Sequence, residues 1–452
     1  MQPSTSQSAC VDCEDGTVQA SSGQATCAVC ESGKYSGEGL ECVECPAGQI
    51  APNAGTKTCD ACADGYVTTS PGTTYCYECF HEYTCASKSA CAEGYTGNAC
   101  ATCAVAFYLL NDRCIACPTF AKHLWVFAII FATFVCYLIY IASDKNLDLA
   151  SVKIMFSHFQ LTSVYLSFKL QYPPVLLALA RWFGSILSFD VVQLAGIECS
   201  TGNLDYGARW ALAAFAPLVV MLPFYVIGSK RALRTLATLA SITFLYALET
   251  CMEVWACTER ADGTAYLNAA PALDCKAGTS TYDWLLAGSI LLFCLYFFGI
   301  NMGLVAAEQN IDTAVVSNDF AEDSKLWFLA LNFFKWCSLI VNLYMTSSPT
   351  AQAVVMLVLL LLMLAAHTFF WPYSSEANNR QDLINYVLQI LQLVVSLILY
   401  ATATDETAAD GILCTIFALG ISMNAYYFYK SFRSPASSVS KEKDVEMHIS
   451  QR

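Results

Sequence analysis

The 452-residue sequence contains few charged residues. Asp, Glu, Lys and Arg make up 13% of the chain, against roughly 25% in a typical soluble domain. Hydrophobic residues make up 56%, and many stand in runs of about 20 residues, the length that spans the ~30 Å hydrocarbon core of a bilayer. This composition excludes a soluble globular enzyme and indicates a protein that crosses the membrane several times.

The sequence also lacks the motifs of nucleotide-dependent and nucleophilic enzymes. It contains neither a P-loop nor a glycine-rich dinucleotide fingerprint. Its five histidines stand in no recognisable Ser/His/Asp or Cys/His arrangement. We therefore expect no enzymatic activity, no cofactor and no catalytic metal.

Positive charge is scarce, and the formal net charge is −14. Residues 1–117 alone carry thirteen acidic and four basic residues. Because an acidic surface repels the phosphate backbone, nucleic acid is excluded as a partner.

The first eight residues are polar and lack the basic and apolar segments of a secretory signal peptide. The missing signal peptide has two explanations: the sequence is a fragment of a longer ectodomain, or the first membrane helix itself translocates the residues before it. We favour the fragment. The sequence has no Asn-x-Ser/Thr sequon, so N-glycosylation gives no indication of topology.

Cysteine, in contrast, is abundant and unevenly distributed, since sixteen of the 24 cysteines lie in residues 1–117. Fourteen of them form seven Cys-x-x-Cys pairs, whose first cysteines are 17, 15, 17, 17, 24 and 14 positions apart. Such spacing is typical of small repeats, and units this short need covalent cross-links because they cannot build a core. The cysteines predicted to form disulfides here are Cys10, Cys13, Cys27, Cys30, Cys42, Cys45, Cys59, Cys62, Cys76, Cys79, Cys85, Cys91, Cys100, Cys103, Cys114 and Cys117.

Zinc coordination is the alternative, because paired Cys-x-x-Cys motifs at these distances also fit zinc ribbons. Disulfides are favoured since the pairs form one continuous ladder rather than isolated four-ligand sites. The topology argued below also places this region outside the cell, where disulfides persist. The connectivity stays open at this point.

Nine segments are long and apolar enough to be membrane spans. They are 119–142, 152–172, 207–228, 235–255, 284–305, 326–347, 351–371, 383–402 and 411–430. The apolar stretch 175–196 competes with 152–172, and we expect 175–196 to be a re-entrant or interfacial segment. The predicted domains are thus a cysteine-rich region at 1–117, a transmembrane region at 118–430 and a disordered polar tail at 431–452.

The orientation follows from the number of crossings. With residues 1–117 outside the cell, nine crossings place the C-terminus in the cytoplasm, and the basic loop 230–234 then faces the cytoplasm, as the positive-inside rule requires. The same orientation places four further cysteines outside, where two more disulfides are expected. These four are Cys199, Cys251, Cys257 and Cys275.

Lys335 is the strongest candidate for a functional residue within the membrane. It lies about ten residues into its span and therefore about 15 Å deep. An ionisable side chain at that depth is costly and is expected to have a partner on a neighbouring helix. A purely structural ion pair between helices is the alternative interpretation.

Several other polar residues belong to the predicted path around Lys335. The possible partners are Glu249, Glu253 and Asp190, and Asn332 and Asn342 lie on the same helix as Lys335. Arg181 and Asp190 occur in the stretch 175–196, which fits either a vestibule or an amphipathic surface helix. His367 stands among aromatic residues, and we interpret it as part of an interfacial aromatic belt.

The cysteine pairs and the glycines around them resemble a known family. The segments CVECPAGQIAPNAGTKTCDAC (42–62) and CADGYVTTSPGTTYCYEC (62–79) are similar to the ephrin-receptor-like cysteine-rich repeat of protist surface proteins. The glycines that carry this resemblance are Gly48, Gly55, Gly65 and Gly72. The segment CAEGYTGNACATC (91–103) resembles the end of an epidermal-growth-factor-like module.

The membrane region resembles large protist and algal proteins that place the same repeats before a transient-receptor-potential-like helical region. The matching residues of a first block (153–199) are Lys153, Ser157, Gln160, Ser163, Pro173, Ser185, Ser188, Glu198 and Cys199. Those of a second block (371–393) are Pro372, Tyr373, Asn379 and Asp382. The chain departs from the pattern in its short ectodomain and in Tyr172, where tryptophan is usual. The resemblance implies a surface sensor or a channel-like role.

We therefore expect an all-α polytopic membrane bundle of about nine spans with an N-terminal disulfide-rich, small-β ectodomain. The expected function is a channel-like or receptor-like sensor in the plasma membrane. The alternatives are an adhesion or anchoring protein and a secondary transporter, although we find no internal symmetry typical of transporters. The expected partners are membrane lipids, an extracellular ligand or matrix component, and a second copy of the chain.

Overall fold

The structure is a computed structural model, and it divides the chain into two compact units. The described residues are 13–19, 26–37, 41–110, 113–117, 124–144, 149–168, 170, 172–173, 175–177, 199, 205–259, 265–275, 278, 280–309, 319–346, 348–402 and 406–433. The first unit takes its described residues from 1–122, 196–206 and 257–283, and the second from 123–195, 207–256 and 284–452.

The cysteine-rich part of the first unit consists of short antiparallel hairpins. Its strands are β1 (Thr17–Val18), β2 (Ala28–Val29), β3 (Lys34–Tyr35), β4 (Val43–Glu44), β5 (Gln49–Ile50), β6 (Asp60–Ala61), β7 (Tyr66–Val67), β8 (Tyr77–Glu78), β9 (Cys85–Ser87), β10 (Ala90–Cys91), β11 (Tyr95–Thr96), β12 (Thr102–Cys103), β13 (Phe107–Leu110) and β14 (Arg113–Ala116). Each odd-numbered strand pairs with the strand that follows it. Isolated hairpins of this size are marginally stable, so the domain depends on its cross-links.

Six of the seven disulfide bonds within the described hairpin array join the second cysteine of a Cys-x-x-Cys pair to the next cysteine in the chain, and the seventh starts from Cys91, which belongs to no such pair. The bonds are Cys13–Cys27, Cys30–Cys42, Cys45–Cys59, Cys62–Cys76, Cys79–Cys85, Cys91–Cys100 and Cys103–Cys114. Cys30, Cys45 and Cys100 are completely buried, so the half-cystines themselves form much of the core. The predicted disulfide-rich domain is confirmed, and cysteines bonded in this way are not zinc ligands. Cys10 lies outside the described residues.

Successive repeats touch through their backbones. The amide of Gly33 donates to the carbonyl of Ala51 at 2.8 Å, and the carbonyl of Gly33 accepts from the amide of Cys45 at 3.0 Å. Gly33 has a φ of +86°, and a Cβ atom there would lie 2.3 Å from the carbonyl oxygen of Gly72. Only glycine permits both this conformation and this approach.

A three-stranded antiparallel sheet completes the first unit: β15 (Cys257–Glu259), β16 (Ala265–Leu267) and β17 (Ala270–Asp274). The bond Cys257–Cys275 closes this sheet, and Cys117–Cys199 links the end of the hairpin array to a later part of the chain. The prediction that Cys251 forms a disulfide is wrong, because Cys251 is a free, buried thiol on a helix of the second unit. Its neighbour in the expected set, Cys199, bonds instead to Cys117.

The second unit is helical. Its helices are α1 (Leu124–Asp144), α2 (Leu149–Leu166), α3 (Tyr206–Ile227), α4 (Lys230–Glu253), α5 (Ser280–Cys294, the start of which belongs to the first unit), α6 (Asn301–Gln309), α7 (Trp327–Tyr344), α8 (Pro349–Phe370), α9 (Glu376–Thr402) and α10 (Glu406–Arg433). A π-helical turn, Leu295–Ile300, joins α5 to α6 as one continuous helix. The predicted helical membrane bundle is confirmed.

Seven helices of the described chain are long and apolar enough to cross a membrane: α3, α4, the continuous α5–α6, α7, α8, α9 and α10. The two remaining predicted spans, 119–142 and 152–172, correspond to α1 and α2. α1 contributes a shorter apolar stretch, Ile129–Ser143, and α2 is an 18-residue helix with many buried polar side chains. The count of nine spans therefore stays a prediction.

A hydrophobic core cluster of the bundle is formed by side chains of α2, α7, α8, α9 and α10. Helix α9 packs against α2, α8 and α10, while α4 packs against α1, α2 and α7. Most side chains of α4 are buried, whereas most of those of α3, α5 and α8 are half-buried or exposed, as expected of helices that face lipid. This arrangement encloses the polar side chains described below.

Candidate functional site: a polar cavity in the bundle

A row of buried polar side chains runs along α9. The row consists of Asn378, Asn379, Gln381, Asp382, Asn385, Gln389, Gln392 and Ser396. Their spacing of three or four residues places them on one face of the helix. Polar residues within membrane helices face the bundle interior because lipid offers them no hydrogen-bond partners.

This face of α9 lines a cavity of about 50 Å³ between α2, α7 and the segment that precedes α7. The charged and imidazole side chains in its lining are Lys153, His158, Asp319, Lys335 and Asp382. Since one water molecule needs about 10–15 Å³ of such volume, the cavity has room for about three to five particles of that size. A nucleotide or a peptide is too large for it.

Lys335 belongs to this lining and is only 4% exposed. Its Nζ donates to the carbonyl oxygen of Ser241 on α4 at 3.3 Å. The carboxylate of Asp382 acts on Lys335 electrostatically, although the two groups form no direct ion pair in the described structure. Lys335 is thus a buried cation that shares a carboxylate with other groups.

His367 of α8 is the second group that contacts Asp382. Its Nδ1 lies 3.3 Å from Asp382 Oδ2, with the histidine side chain fully buried. On the other side of the ring, Nε2 lies 3.1 Å from the carbonyl oxygen of Asn379. The phenol of Tyr373 also interacts electrostatically with Asp382. Asp382 is therefore surrounded by an ammonium, an imidazole and a phenol.

The corner between α8 and α9 holds these groups in position. The side chain of Asn379 accepts from the amide of Tyr373 at 2.9 Å and donates to the carbonyl of Tyr373 at 2.7 Å. The corner itself begins at Trp371, which ends α8 in a left-handed conformation. The Asn379 side chain thereby closes the turn that directs Tyr373 toward Asp382.

Lys153 and Asp319 form an ion pair at the more exposed edge of the cavity. Lys153 Nζ and Asp319 Oδ2 are 2.6 Å apart, and the side chains are 17% and 16% exposed. The carbonyl of Asp319 also accepts from the amide of Ser374 at 3.1 Å. The ion pair thus ties α2 to the segment before α7, and that segment to the α8–α9 corner.

Amide side chains link α9 to its other neighbours. Gln381 Nε2 donates to Asn424 Oδ1 at 2.9 Å, Asn424 Nδ2 donates to Asn385 Oδ1 at 2.9 Å, and Gln389 Nε2 donates to the carbonyl of His158 at 3.1 Å. Buried polar groups need hydrogen-bond partners. This network supplies such partners, so a structural role explains many of the polar side chains on this face of α9.

Asn301, the residue after the π-helical turn, joins α6 to α7. Its partner Asn332 lies one turn before Lys335 on α7. Asn332 Nδ2 donates to Asn301 Oδ1 at 2.7 Å, and Asn301 Nδ2 donates to the carbonyl of Phe297 at 2.6 Å. Asn301 directly follows the turn, and single π turns inside helices are frequent at functional sites.

The structure brings together some of the predicted site residues and not others. Lys335 and Asn332 both line the cavity, whereas Glu249 belongs to α4 and lies outside that lining. Asn342 accepts a hydrogen bond from Ser167 at 2.7 Å. Arg181 and Asp190 lie outside the described residues.

Sequence reasoning missed Asp382 as a neighbour of Lys335 and His367 as a neighbour of Asp382. His367 is not part of an interfacial aromatic belt alone, because its ring is fully buried against Asp382. The signal that could have identified them is the polar periodicity of α9, whose buried positions recur every three or four residues.

Comparison with known proteins concerns the first unit alone. Residues 33–79, which span β3 to β8, match the family model described as "Tyrosine-protein kinase ephrin type A/B receptor-like". No curated protein and no solved structure matches the chain. The ephrin-receptor-like repeat predicted over residues 42–79 is thus confirmed, while the epidermal-growth-factor-like and transient-receptor-potential-like resemblances stay predictions. The chain is a multi-span membrane protein with a disulfide-rich domain of extracellular type.

Proposed function

We propose that the protein is a channel-like or receptor-like sensor of the plasma membrane. The observation that carries this proposal is the charged cavity around Lys335 inside a bundle of apolar helices. A charged side chain at the centre of a membrane helix costs about 2.5–3.5 kcal/mol on insertion scales. A protein that needed only an anchor would achieve it with one span and no such cavity.

The sensor would be driven from the cysteine-rich domain. Cys117 is followed in sequence by α1, and Cys199 is followed by α3. One disulfide joins these two cysteines. A force produced by a load or by an extracellular ligand on the repeats is therefore transmitted to the segments that precede α1 and α3 in the sequence. The expected partner of the repeats is an extracellular ligand or a matrix component.

The topology proposed for this sensor has the repeats outside and the C-terminus in the cytoplasm. Two cysteines joined by a disulfide lie on the same side of a membrane, so an even number of crossings separates residues 117 and 199. Crossings by α1 and α2 satisfy this condition if 175–196 does not cross. The basic residues at the start of α4 then face the cytoplasm, in agreement with the positive-inside rule.

The test is whole-cell current recorded together with surface labelling, on cells that express the chain behind a supplied signal peptide. Membrane stretch and calcium steps are the stimuli. We expect a stimulus-dependent current only in cells with surface protein, and an altered current in Lys335→Met. The matched control is Lys325→Met, because Lys325 is an exposed lysine ten residues earlier.

Two results would contradict the channel part of the proposal in different ways. If Lys335→Met and Lys325→Met carry identical currents at equal surface abundance, the path does not involve the cavity. If no variant carries current while surface protein is present, channel function is wrong, and a receptor or adhesion role takes its place.

A further inference from the structure

We propose that the cavity around Lys335 binds one small monovalent anion of the halide class together with one proton that His367 and Asp382 share. The inference goes beyond the proposed sensor function, since such a site can exist whether or not the protein conducts. It rests on the hydrogen-bond requirements of His367, the charges around the cavity and the donors in its lining.

The geometry of His367 requires a proton between it and Asp382. A carbonyl oxygen only accepts hydrogen bonds, so the contact of Nε2 with Asn379 puts a hydrogen on Nε2. Nδ1 then lies 3.3 Å from Asp382 Oδ2, and neither of these two buried atoms makes a hydrogen bond in the described part of the chain. Without a proton on one of them, two lone pairs would face each other in a buried site.

The charges around the cavity then leave one positive charge uncompensated. Lys153 and Asp319 neutralise each other at the edge. The shared proton makes His367 and Asp382 neutral as a pair, as either imidazolium and carboxylate or imidazole and carboxylic acid. The other titratable side chains in the lining are His158, Tyr373 and Tyr386, all neutral in their ordinary buried forms. The remaining charge is the ammonium of Lys335.

The lining supplies hydrogen-bond donors that suit an anion. The ammonium of Lys335 has three hydrogens, and the described structure gives it one acceptor, the carbonyl of Ser241. Asn332, Asn385 and Gln389 also line the cavity. Each of their amide groups carries two hydrogens and uses one in the bond to Asn301, Asn424 or His158.

The volume restricts the class of anion. A cavity that holds about three to five water-sized particles accepts a chloride or bromide ion with some of its hydration. It excludes gluconate and phosphorylated metabolites. A bare metal cation is disfavoured, because Lys335 in the lining is itself a cation.

Anion and proton are coupled through Asp382. When the shared proton leaves, the carboxylate compensates Lys335 and the net charge of the cluster falls to zero. The affinity for the anion therefore decreases as the pH rises, by about tenfold per pH unit once the proton dissociates, because one proton accompanies one anion.

The experiment is equilibrium binding of radiolabelled chloride to the full chain in lipid nanodiscs, between about pH 5 and pH 8, where folded proteins are ordinarily most stable. We expect one chloride per chain, competition by bromide, no competition by gluconate, and weaker binding at higher pH. Lys335→Met should lose at least tenfold in affinity, whereas Lys325→Met should bind as the parent protein does.

Asp382→Asn separates the proposal from a simple failure to fold. Its carboxamide donates to Nδ1 of His367 without an additional proton, so Lys335 stays uncompensated at every pH at which it is protonated. This variant should retain chloride binding and lose the pH dependence, a result that a misfolded protein cannot produce. His367→Gln leaves the carboxylate of Asp382 facing Lys335 and should weaken binding at all pH values.

The proposal is overturned if the parent protein binds no chloride at any pH, or if Lys335→Met binds it unchanged. It is also overturned if Asp382→Asn, monodisperse in size-exclusion chromatography, keeps the pH dependence of the parent protein. These outcomes are independent of the current recordings. A chain that conducts without binding chloride contradicts the anion site alone, and one that binds chloride without conducting contradicts only the channel.

Discussion

Cys117 and Cys199 form a disulfide bond across 82 residues of chain, with their Cα atoms 5.7 Å apart. The other bonds of the first unit close loops of 6 to 18 residues. The cost of closing a loop in the unfolded chain grows with loop length, so this bond constrains the unfolded state more than its neighbours do. It also joins the end of β14 to Cys199, which precedes α3 in the sequence.

Replacing Cys199 by serine should therefore destabilise the cysteine-rich domain. We expect a loss of about 2–4 kcal/mol, the usual range for a native disulfide. The measurement is the rate at which a protease added to intact cells removes the domain, with Cys294→Ser as the control, because Cys294 is a free cysteine. Equal cleavage rates in the two variants would mean that the bond adds no stability.

Alanine at Gly33 should destabilise the repeats more than alanine at Gly65. Both glycines have positive φ angles, +86° and +81°, which cost an alanine about 1–2 kcal/mol. A Cβ at Gly33 would also lie 2.3 Å from the carbonyl oxygen of Gly72, whereas nothing lies within 4 Å of one at Gly65. Displacing that backbone adds about 1–3 kcal/mol.

The measurement is the thermal unfolding of the cysteine-rich domain in the full chain in detergent, monitored by its resistance to protease, for the two glycine variants. The close approach of Gly33 to Gly72 is refuted if both variants lose the same stability. Since the two substitutions share their backbone strain, the difference between them isolates the contact between repeats.

The ion pair of Lys153 and Asp319 should stabilise the bundle. Breaking it with Asp319→Asn should cost about 1–3 kcal/mol, between the values for exposed and buried pairs, because each side chain is less than one fifth exposed. The reversed pair, Lys153→Asp with Asp319→Lys, should recover at least half of the loss in thermal unfolding.

Glu376→Gln is the matched control for this ion pair. It removes the carboxylate of the Arg380–Glu376 pair, whose side chains are 62% and 67% exposed, and it should change the unfolding temperature little. A loss as large as that of Asp319→Asn would indicate a general effect of surface charge rather than a specific pair at the cavity.

The cysteine spacing predicted the repeats because covalent cross-links leave a periodic trace in the sequence. The spacing did not reveal which cysteines bond. That connectivity depends on the stacking of one repeat on the next, through contacts such as Gly33 with Ala51. Cys251 illustrates the limit, since its position along the chain is compatible with a disulfide and the helix around it buries the thiol.

The depth of Lys335 was predictable from the span that contains it, whereas its neighbours were not. Glu249 and Asp382 are both acids within spans, and only the packing of α7 against α8 and α9 decides which of them acts on Lys335. His367 stands among aromatic residues in sequence, which concealed it. Helix contacts are determined by shape over many residues, so one sequence does not select them.

The hydrogen bond between Asn332 and Asn301 should couple α7 to the helix that follows the π turn. We expect Asn332→Leu and Asn301→Leu, measured separately and together, to show a coupling free energy of about 0.6–1.7 kcal/mol, the range found for hydrogen bonds between membrane helices. The measurement is a double-mutant cycle of unfolding in mixed micelles. Additive losses would contradict the bond. A loss in Asn301→Leu alone that exceeds the loss in Asn332→Leu would mean that Asn301, which also donates to the carbonyl of Phe297, supports the π turn itself, since that bond cancels in the coupling free energy.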